Sequence, residues 1–531
     1  MRSLKTLCAA LAVFAQAAIA TPFAAAEDPA PIGTERFNTY ALDFPGRAFE
    51  VFPQDINEDG LEDVVIVYFD DESETQGRLL TVYFQDRQNG FQPAARANLP
   101  LDPASSAVVL GNFDGAHGVD VGLITAEGVI CHPFVDTPGA AADGAGKDST
   151  HPTSTAGPAA FSAEARSIIA HKSLLDLPQP DIIFVWIGPE DLDNNGLHDI
   201  VLPRTDGYTV FFQTEPGVFG RTSEIEVPQR NEVVDSPFEE YVFERKLPRL
   251  VVIDFNGDGK KDLVLSYEDS FVCHLQDDKG GFPSAPSVKF ASRFVTDAEK
   301  MNRIEASNII LEDLNMDGVP EMIVTRTKGE IGVFESIATD IYVLYGRAGA
   351  PYPPVPDQIV KIRGVSIFPQ FVDVDKDGAK DVIISCFRTD LISVGASAAI
   401  DSFTFTYYIY LFDKQNGILT DVPAYDIAVS ISREMLEKGG RSLPLVSFNS
   451  DFDNDGRLDM LTTTGDGVVS VHRGKRAVGA FHRSEVGFEK GEYLRMTFEP
   501  PRWIDTLDLN HDTRCDLLLR YGSRVIVLLS K

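Results

Sequence analysis

The chain is poor in the residues that carry most enzyme chemistry. Its 531 residues include five cysteines, two tryptophans and nine histidines. Cys8 lies in an N-terminal leader. The remaining four, Cys131, Cys273, Cys386 and Cys515, stand far apart with no C-x-x-C pair. That spacing excludes a zinc cluster or a dithiol redox centre. The histidines show no metal-ligand spacing, and no G-x-S-x-G, P-loop or H-E-x-x-H motif occurs. No nucleophile elbow, phosphate cradle or zinc-protease centre is therefore expected. Positive charge is scarce as well: 47 Lys and Arg stand against 80 Asp and Glu, a net charge of -33. Such a balance opposes nucleic acid binding and suits a soluble, cation-binding chain. Beyond the leader no run approaches 18 apolar residues, so no membrane span is expected.

The leader has the pattern of a secretory signal. Arg2 and Lys5 precede an apolar run from Leu7 to Ile19, and the small-x-small sites Ala18-Ile19-Ala20 and Ala24-Ala25-Ala26 follow. Residues 1–26 read as a signal peptide, residues 27–36 as a flexible N-terminus and 37–531 as one domain. The mature chain is expected in the periplasm or outside the cell.

What is abundant is one motif. DINEDGLED from Asp55 is followed by DLDNNGLHD from Asp191, DFNGDGKKD from Asp254 and DLNMDGVPE from Asp313. DVDKDGAKD starts at Asp373, DFDNDGRLD at Asp451 and DLNHDTRCD at Asp508. NFDGAHGVD from Asn112 is a decayed eighth copy. The starts lie 57 to 79 residues apart, a spacing that signals a repeat fold. An apolar stretch precedes each loop and a β-rich run such as DVVIVYF, DLVLSY or DLLLRY follows. A third short strand and a more polar fourth complete the unit. Four antiparallel strands repeated eight times indicate a β-propeller of eight four-stranded blades, with seven blades or a linear solenoid as the competing architectures. The last unit stops after its third strand, while FNTYALDFP near the N-terminus has no partner. That segment can supply the outer strand of blade eight and close the ring.

The motif D-x-[DN]-x-[DN]-G-x-x-[DE] before an apolar strand resembles the FG-GAP/VCBS repeats of integrin-α-like propellers, in their bacterial secreted form. The likeness covers essentially all of the mature chain. Oxygen side chains at positions 1, 3 and 5, with a turn at position 6, form a hard-oxygen cage suited to Ca²⁺. An EF-hand is excluded because its bidentate Glu at position 12 is missing; Ile66, Leu202, Leu265, Val324, Ile384, Thr462 and Leu519 stand there. The resemblance implies that the carboxylate at position 9 completes the shell. The expected ligands are Asp55, Asn57, Asp59 and Asp63; Asp191, Asp193, Asn195 and Asp199; Asp254, Asn256, Asp258 and Asp262; Asp313, Asn315, Asp317 and Glu321; Asp373, Asp375, Asp377 and Asp381; Asp451, Asp453, Asp455 and Asp459; and Asp508, Asn510, Asp512 and Asp516. The four-Asp loops at 373 and 451 rank first by charge. Thr513 stands where Gly is wanted, and Ala116 and His117 spoil the 112 copy. The metal is expected to be structural.

Four elaborated segments, 228–248, 292–307, 388–402 and 432–444, are expected on the face opposite these loops. The second (from its capping box TDAE) and the fourth should be helical in part. A disordered insertion is expected at 136–163. Tyr241, Phe243, Arg245 and Lys246 are candidate contacts for a protein or glycan partner. The chain is expected to be monomeric and to work as a non-catalytic binding or adhesion scaffold. A calcium-dependent polysaccharide lyase, or a structural part of a cell-surface assembly, are the alternatives. The four cysteines fall in non-adjacent blades and should be free thiols.

Overall fold

A computed structural model describes residues 33–531 apart from 73–76, 136–159, 173–182, 187–189, 229, 236–240, 268, 292–302, 331–332, 350–351, 388–401, 433–445, 464–465 and 479–483. The described residues form strands and no helix. The expected insertion lies largely outside them, as do the helical parts expected after residues 292 and 432.

Successive antiparallel sheets follow the repeat. Blade one comprises Arg47–Gln54, Asp63–Asp70, Gly77–Asp86 and Gly90–Pro100, paired in that order. Blade four (Arg249–Ile253, Asp262–Ser266, Ser270–His274, Val288–Ala291) and blade five (Arg303–Glu312, Glu321–Glu330, Val333–Leu344, Gln358–Arg363) repeat it. So do blade six (Val365–Val372, Asp381–Phe387, Ser402–Tyr410, Tyr425–Ser432) and blade seven (Val446–Ser450, Asp459–Thr463, Val468–His472, Leu494–Thr497). Blade eight takes Trp503–Leu507, Asp516–Arg520 and Arg524–Ser530 from one end of the chain and Phe37–Asp43 from the other. Phe37 pairs with Ser530 and Asp43 with Arg524. The N-terminal segment is thus the closing strand.

Packing decides between ring and solenoid. Strand residues alternate between two buried faces, so each sheet packs on both neighbours. In blade one, Val65 and Val67 join Val108, Val121 and Leu123 of blade two. Val64, Ile66 and Tyr68 point the other way, onto Leu518, Val525 and Val527 of blade eight. Buried clusters fill every junction from blade one to blade eight, and another joins blade eight back to blade one. An open stack has no such last interface. The structure is therefore an eight-bladed β-propeller.

Blade two adds to the four-strand rule. Blade two (Ser105–Gly111, Asp120–Thr125, Gly128–His132, Arg166–Ala170) gains Phe184–Val185, which pairs in parallel with its inner strand. Among the described residues blade three shows Ile200–Arg204, Gly207–Phe212 and Arg221–Glu226 as strands, and a bridge between Glu190 and Asp199 stands on its inner side. Trp186 packs beside blade three, its indole Nε1 donating to the Val201 carbonyl at 2.7 Å.

The cysteines are buried free thiols. Cys131 and Cys273 sit on third strands. His132, His274 and His472 end third strands, and each Nδ1 bonds a carbonyl of the segment leading to the fourth strand: Ser162, Pro283 and Glu489. Their recurrence is repeat geometry.

Candidate metal centre

Each motif loop joins the first strand of a blade to the second. The side chain at position 1 organises it: Asp55 Oδ1 accepts from the N–H of Asp59 at 3.1 Å and Oδ2 from that of Gly60 at 2.9 Å. Asp373 takes the N–H groups of Asp377 and Gly378 at 3.0 and 2.9 Å, and Asp451 those of Asp455 and Gly456 at 3.3 and 2.8 Å. At position 5, Asp59 and Asp377 each accept from the N–H at position 7, at 2.9 Å. The turn is bought with two left-handed residues. Position 4 has φ of 52° at Glu58, 60° at Lys376 and 58° at Asn454; position 6 is glycine at 81° in Gly60 and 85° in Gly378. Thr513 takes that second place at φ 72°, a costly conformation for a β-branched side chain.

The carboxylate at position 9 has a role that the sequence reading did not include. Asp63 is fully buried; its Oδ2 accepts from Ile56 N at 3.1 Å, inside the loop, and its Oδ1 from Gln85 N at 2.9 Å, where the third strand ends. Asp381 does the same with Val374 N and Phe412 N, and Asp516 with Leu509 N and Ser530 N. Glu321 keeps only the loop bond, from Leu314 N, and its other oxygen faces the Asn315 amide at 3.4 Å. Asp63, Asp381 and Asp516 thus pin the loop to the end of the third strand, while Glu321 holds the loop alone. Two oxygens offer about four lone-pair sites, so room remains for a metal.

Burial works against the charge on these groups. It pushes Asp63 up to about 8, Asp199, Asp381 and Glu321 to about 7, and Asp262, Asp459 and Asp516 to about 6, although the backbone donors pull the other way. A divalent cation would favour the ionised forms.

In three loops the carboxylates converge. Ligand oxygens of Asp191, Asp193 and Asp199 lie within 4.8 Å of one another, as do those of Asp373, Asp375 and Asp381 and those of Asp451, Asp453 and Asp459. These clusters can hold a metal ion. The donor set is all hard oxygen, and Asp193 Oδ1 and Asp453 Oδ1 are buried without a hydrogen-bond partner, as suits oxygens that ligate a cation. The loops at 55, 254, 313 and 508 have Asn at position 3. There the amide donates to the carboxylate at position 5: Asn57 to Asp59 at 3.1 Å, Asn315 to Asp317 at 3.0 Å and Asn510 to Asp512 at 3.2 Å. Asn256 approaches Asp258 at 3.3 Å. A neutral donor inside the loop replaces the third converging charge.

Tyr241, Phe243, Arg245 and Lys246 lie on a strand, Tyr241–Lys246, paired with Arg230–Asp235 between blades three and four. The expected connection there is thus a hairpin, and it belongs to neither blade sheet. Several features have no motif to announce them. Arg221, which begins a strand, and Arg473, which follows one, approach Asp193 and Asp453. A groove of about 360 Å³ opens where blade eight meets blade one, lined by Asn38, Tyr40, Asp86, Arg87, Gln88, His511 and Asp512 among others. Its walls come from both ends of the chain, so no local pattern could reveal it.

No family model matches the chain, and no curated protein matches it. Among solved structures it is similar to an Agrocybe aegerita lectin that recognises non-reducing terminal N-acetylglucosamine, at 12% identity and a TM-score of 0.37, over 84% of this chain and 93% of that one. It is similar to the V. cholerae biofilm matrix protein Bap1, at 11% identity and 0.36, over 94% and 89%. A rhamnogalacturonan lyase, YesW, matches at 10% identity and 0.29, over 91% and 74%.

Proposed function

We propose that the chain is an exported propeller of the FG-GAP/VCBS type, held by several structural Ca²⁺ ions, that acts as a non-catalytic binding scaffold for a protein or glycan partner. Residues 1–26 are its signal peptide and 37–531 its one domain. The observation that carries the calcium reading is the convergence of three carboxylates in each of the 191, 373 and 451 loops, on a turn shared by the other copies. Calcium there neutralises charge that burial disfavours and ties the first strand of a blade to the second. Binding only the folded loops, it adds to stability.

The groove at the blade eight and blade one junction supports the scaffold reading. Amides, both signs of charge and the ring of Tyr40 line it, and such a mixture suits a polyhydroxylated ligand such as a glycan. The hairpin with Tyr241, Phe243, Arg245 and Lys246 is a second candidate contact. A glycan array with and without Ca²⁺ tests the reading, repeated with the Asn38→Ala, Gln88→Ala double variant. Calcium-dependent binding that the double variant weakens is the expected result. Production of unsaturated uronate from an acidic polysaccharide would replace the scaffold with a lyase.

A further inference from the structure

Charge count alone makes the loops at 373 and 451 equals, with four Asp each. Their surroundings make them unlike. In blade seven Arg473, just past the third strand, brings Nε to 2.6 Å from Asp453 Oδ2, a contact of charges rather than an aligned hydrogen bond. Its guanidinium lies over the Tyr493 ring, 3.9 Å from the centroid. Arg457 also pairs with Asp455 in the same loop. Blade three repeats the device from a different place. Arg221, the first residue of the fourth strand, pairs with Asp193 Oδ2, lies 3.8 Å from the Phe212 centroid and donates to the Lys279 carbonyl at 2.7 Å. Two arginines at unrelated positions of their repeats thus reach the same oxygen of the same loop position, each backed by an aromatic ring. In blade six no basic side chain among the described residues pairs with Asp373, Asp375 or Asp381.

We propose that Arg221 and Arg473 are tethered cations that compete with the divalent ion for Asp193 and Asp453. The blade-six loop then fills first, and the blade-three and blade-seven loops fill only at higher calcium. This rests on the calcium reading above. The physical basis is simple. A guanidinium and a calcium ion repel, and both need the carboxylate at position 3. Metal entry there must displace an ion pair already stacked on a ring; in blade six no such pair holds position 3, the nearby Lys414 Nζ donating instead to the Asp377 carbonyl at 2.8 Å. The arginine also keeps the charged loop folded when calcium is low. Each latched loop therefore has two filled states, and the blade-six loop has one.

The test is calorimetric titration of the chelator-stripped full-length chain with CaCl₂, alongside melting curves with EDTA and with calcium. Asp375→Asn should abolish the tightest binding event of the wild type. Arg473→Gln and Arg221→Gln should each tighten one weaker event by about tenfold, the ratio expected from removing a partly buried ion pair. Each should also melt lower than wild type in EDTA yet gain more on adding calcium. Loss of packing alone would lower both curves together. Arg473→Lys, which keeps the charge without the planar stack, should shift affinity the same way by less, and it serves if the glutamine variants fold poorly. Isotherms of the arginine variants that superimpose on the wild type would overturn the latch while leaving the calcium reading intact. A tightest event that survives Asp375→Asn overturns the filling order. No calcium binding in any variant overturns both readings.

Discussion

The decayed loop of blade two and the intact loop of blade one differ in what they keep. At 112 the chain has Asn, Asp, Ala and His at positions 1, 3, 5 and 6, so the metal cage is broken. Yet Asp120 at position 9 is buried, and its oxygens accept from Phe113 N and Phe134 N, both at 2.8 Å. Those bonds reproduce the Asp63 bonds to Ile56 and Gln85. Asn112 Oδ1 still organises the turn, accepting from Gly115 N at 2.7 Å. The loop thus carries two separable functions. Position 9 serves the blade and survives loss of the cage; positions 3 and 5 serve the ion.

The comparison breaks first at Asp120. Asp120→Ala would strand two buried N–H groups and should cost about 2–5 kcal/mol, with or without calcium. Urea unfolding would measure it; a loss under about 1 kcal/mol would refute the clamp. Next is the ion itself. Chelation should lower the melting temperature of the wild type, by an amount equal to about 2.7 kcal/mol if calcium stood at a hundred times its Kd. An unchanged curve in EDTA would remove calcium from the account.

The pH response sharpens the same contrast. Asp63, Asp199 and Asp381 have folded-state values raised by burial to about 8, 7 and 7. The folded chain then binds more protons than the unfolded one between roughly pH 4 and those values. In EDTA, stability should fall as pH rises through that window. Saturating calcium, which favours the ionised carboxylates, should flatten the fall; parallel profiles with and without metal would contradict this. The smallest effect is at Thr513. Thr513→Gly relieves a β-branched residue at φ 72° but loses the Thr513 Oγ1 bond to Asn454 Oδ1. A net gain of about 1 kcal/mol is expected, and a loss in thermal unfolding would show that the bond outweighs the strain.

Much of the ring was legible because its signals are local. An Asp-rich turn before an apolar strand marks each blade, and an unpartnered strand at each end marks the closure. The carboxylate at position 9 was visible but not its clamp, since its second donor, as Gln85 N for Asp63, lies 22 residues away on another strand. The parallel pairing of Phe184–Val185 with the inner strand of blade two was not legible, because IIFVWI has strand character whichever sheet it joins. The arginine latches were hidden for a like reason. Arg473 follows a strand and Arg221 begins one, and no motif ties either to a loop 20 or 28 residues earlier. The groove needed Asn38 and Ser530 side by side.

That closing pair has a kinetic consequence. Phe37–Asp43 can find its place only after Arg524–Ser530 has been made, so nearly the whole chain must wait as an unclosed loop. Loop closure over such a separation is slow, but its entropy cost grows only logarithmically with length. Until then the flank of blade one that packs on blade eight, including Val64 and Ile66, lies bare. The ring therefore cannot lock while it is being synthesised. A pulse-labelled hydrogen-exchange experiment should find Phe37–Asp43 among the last strands protected.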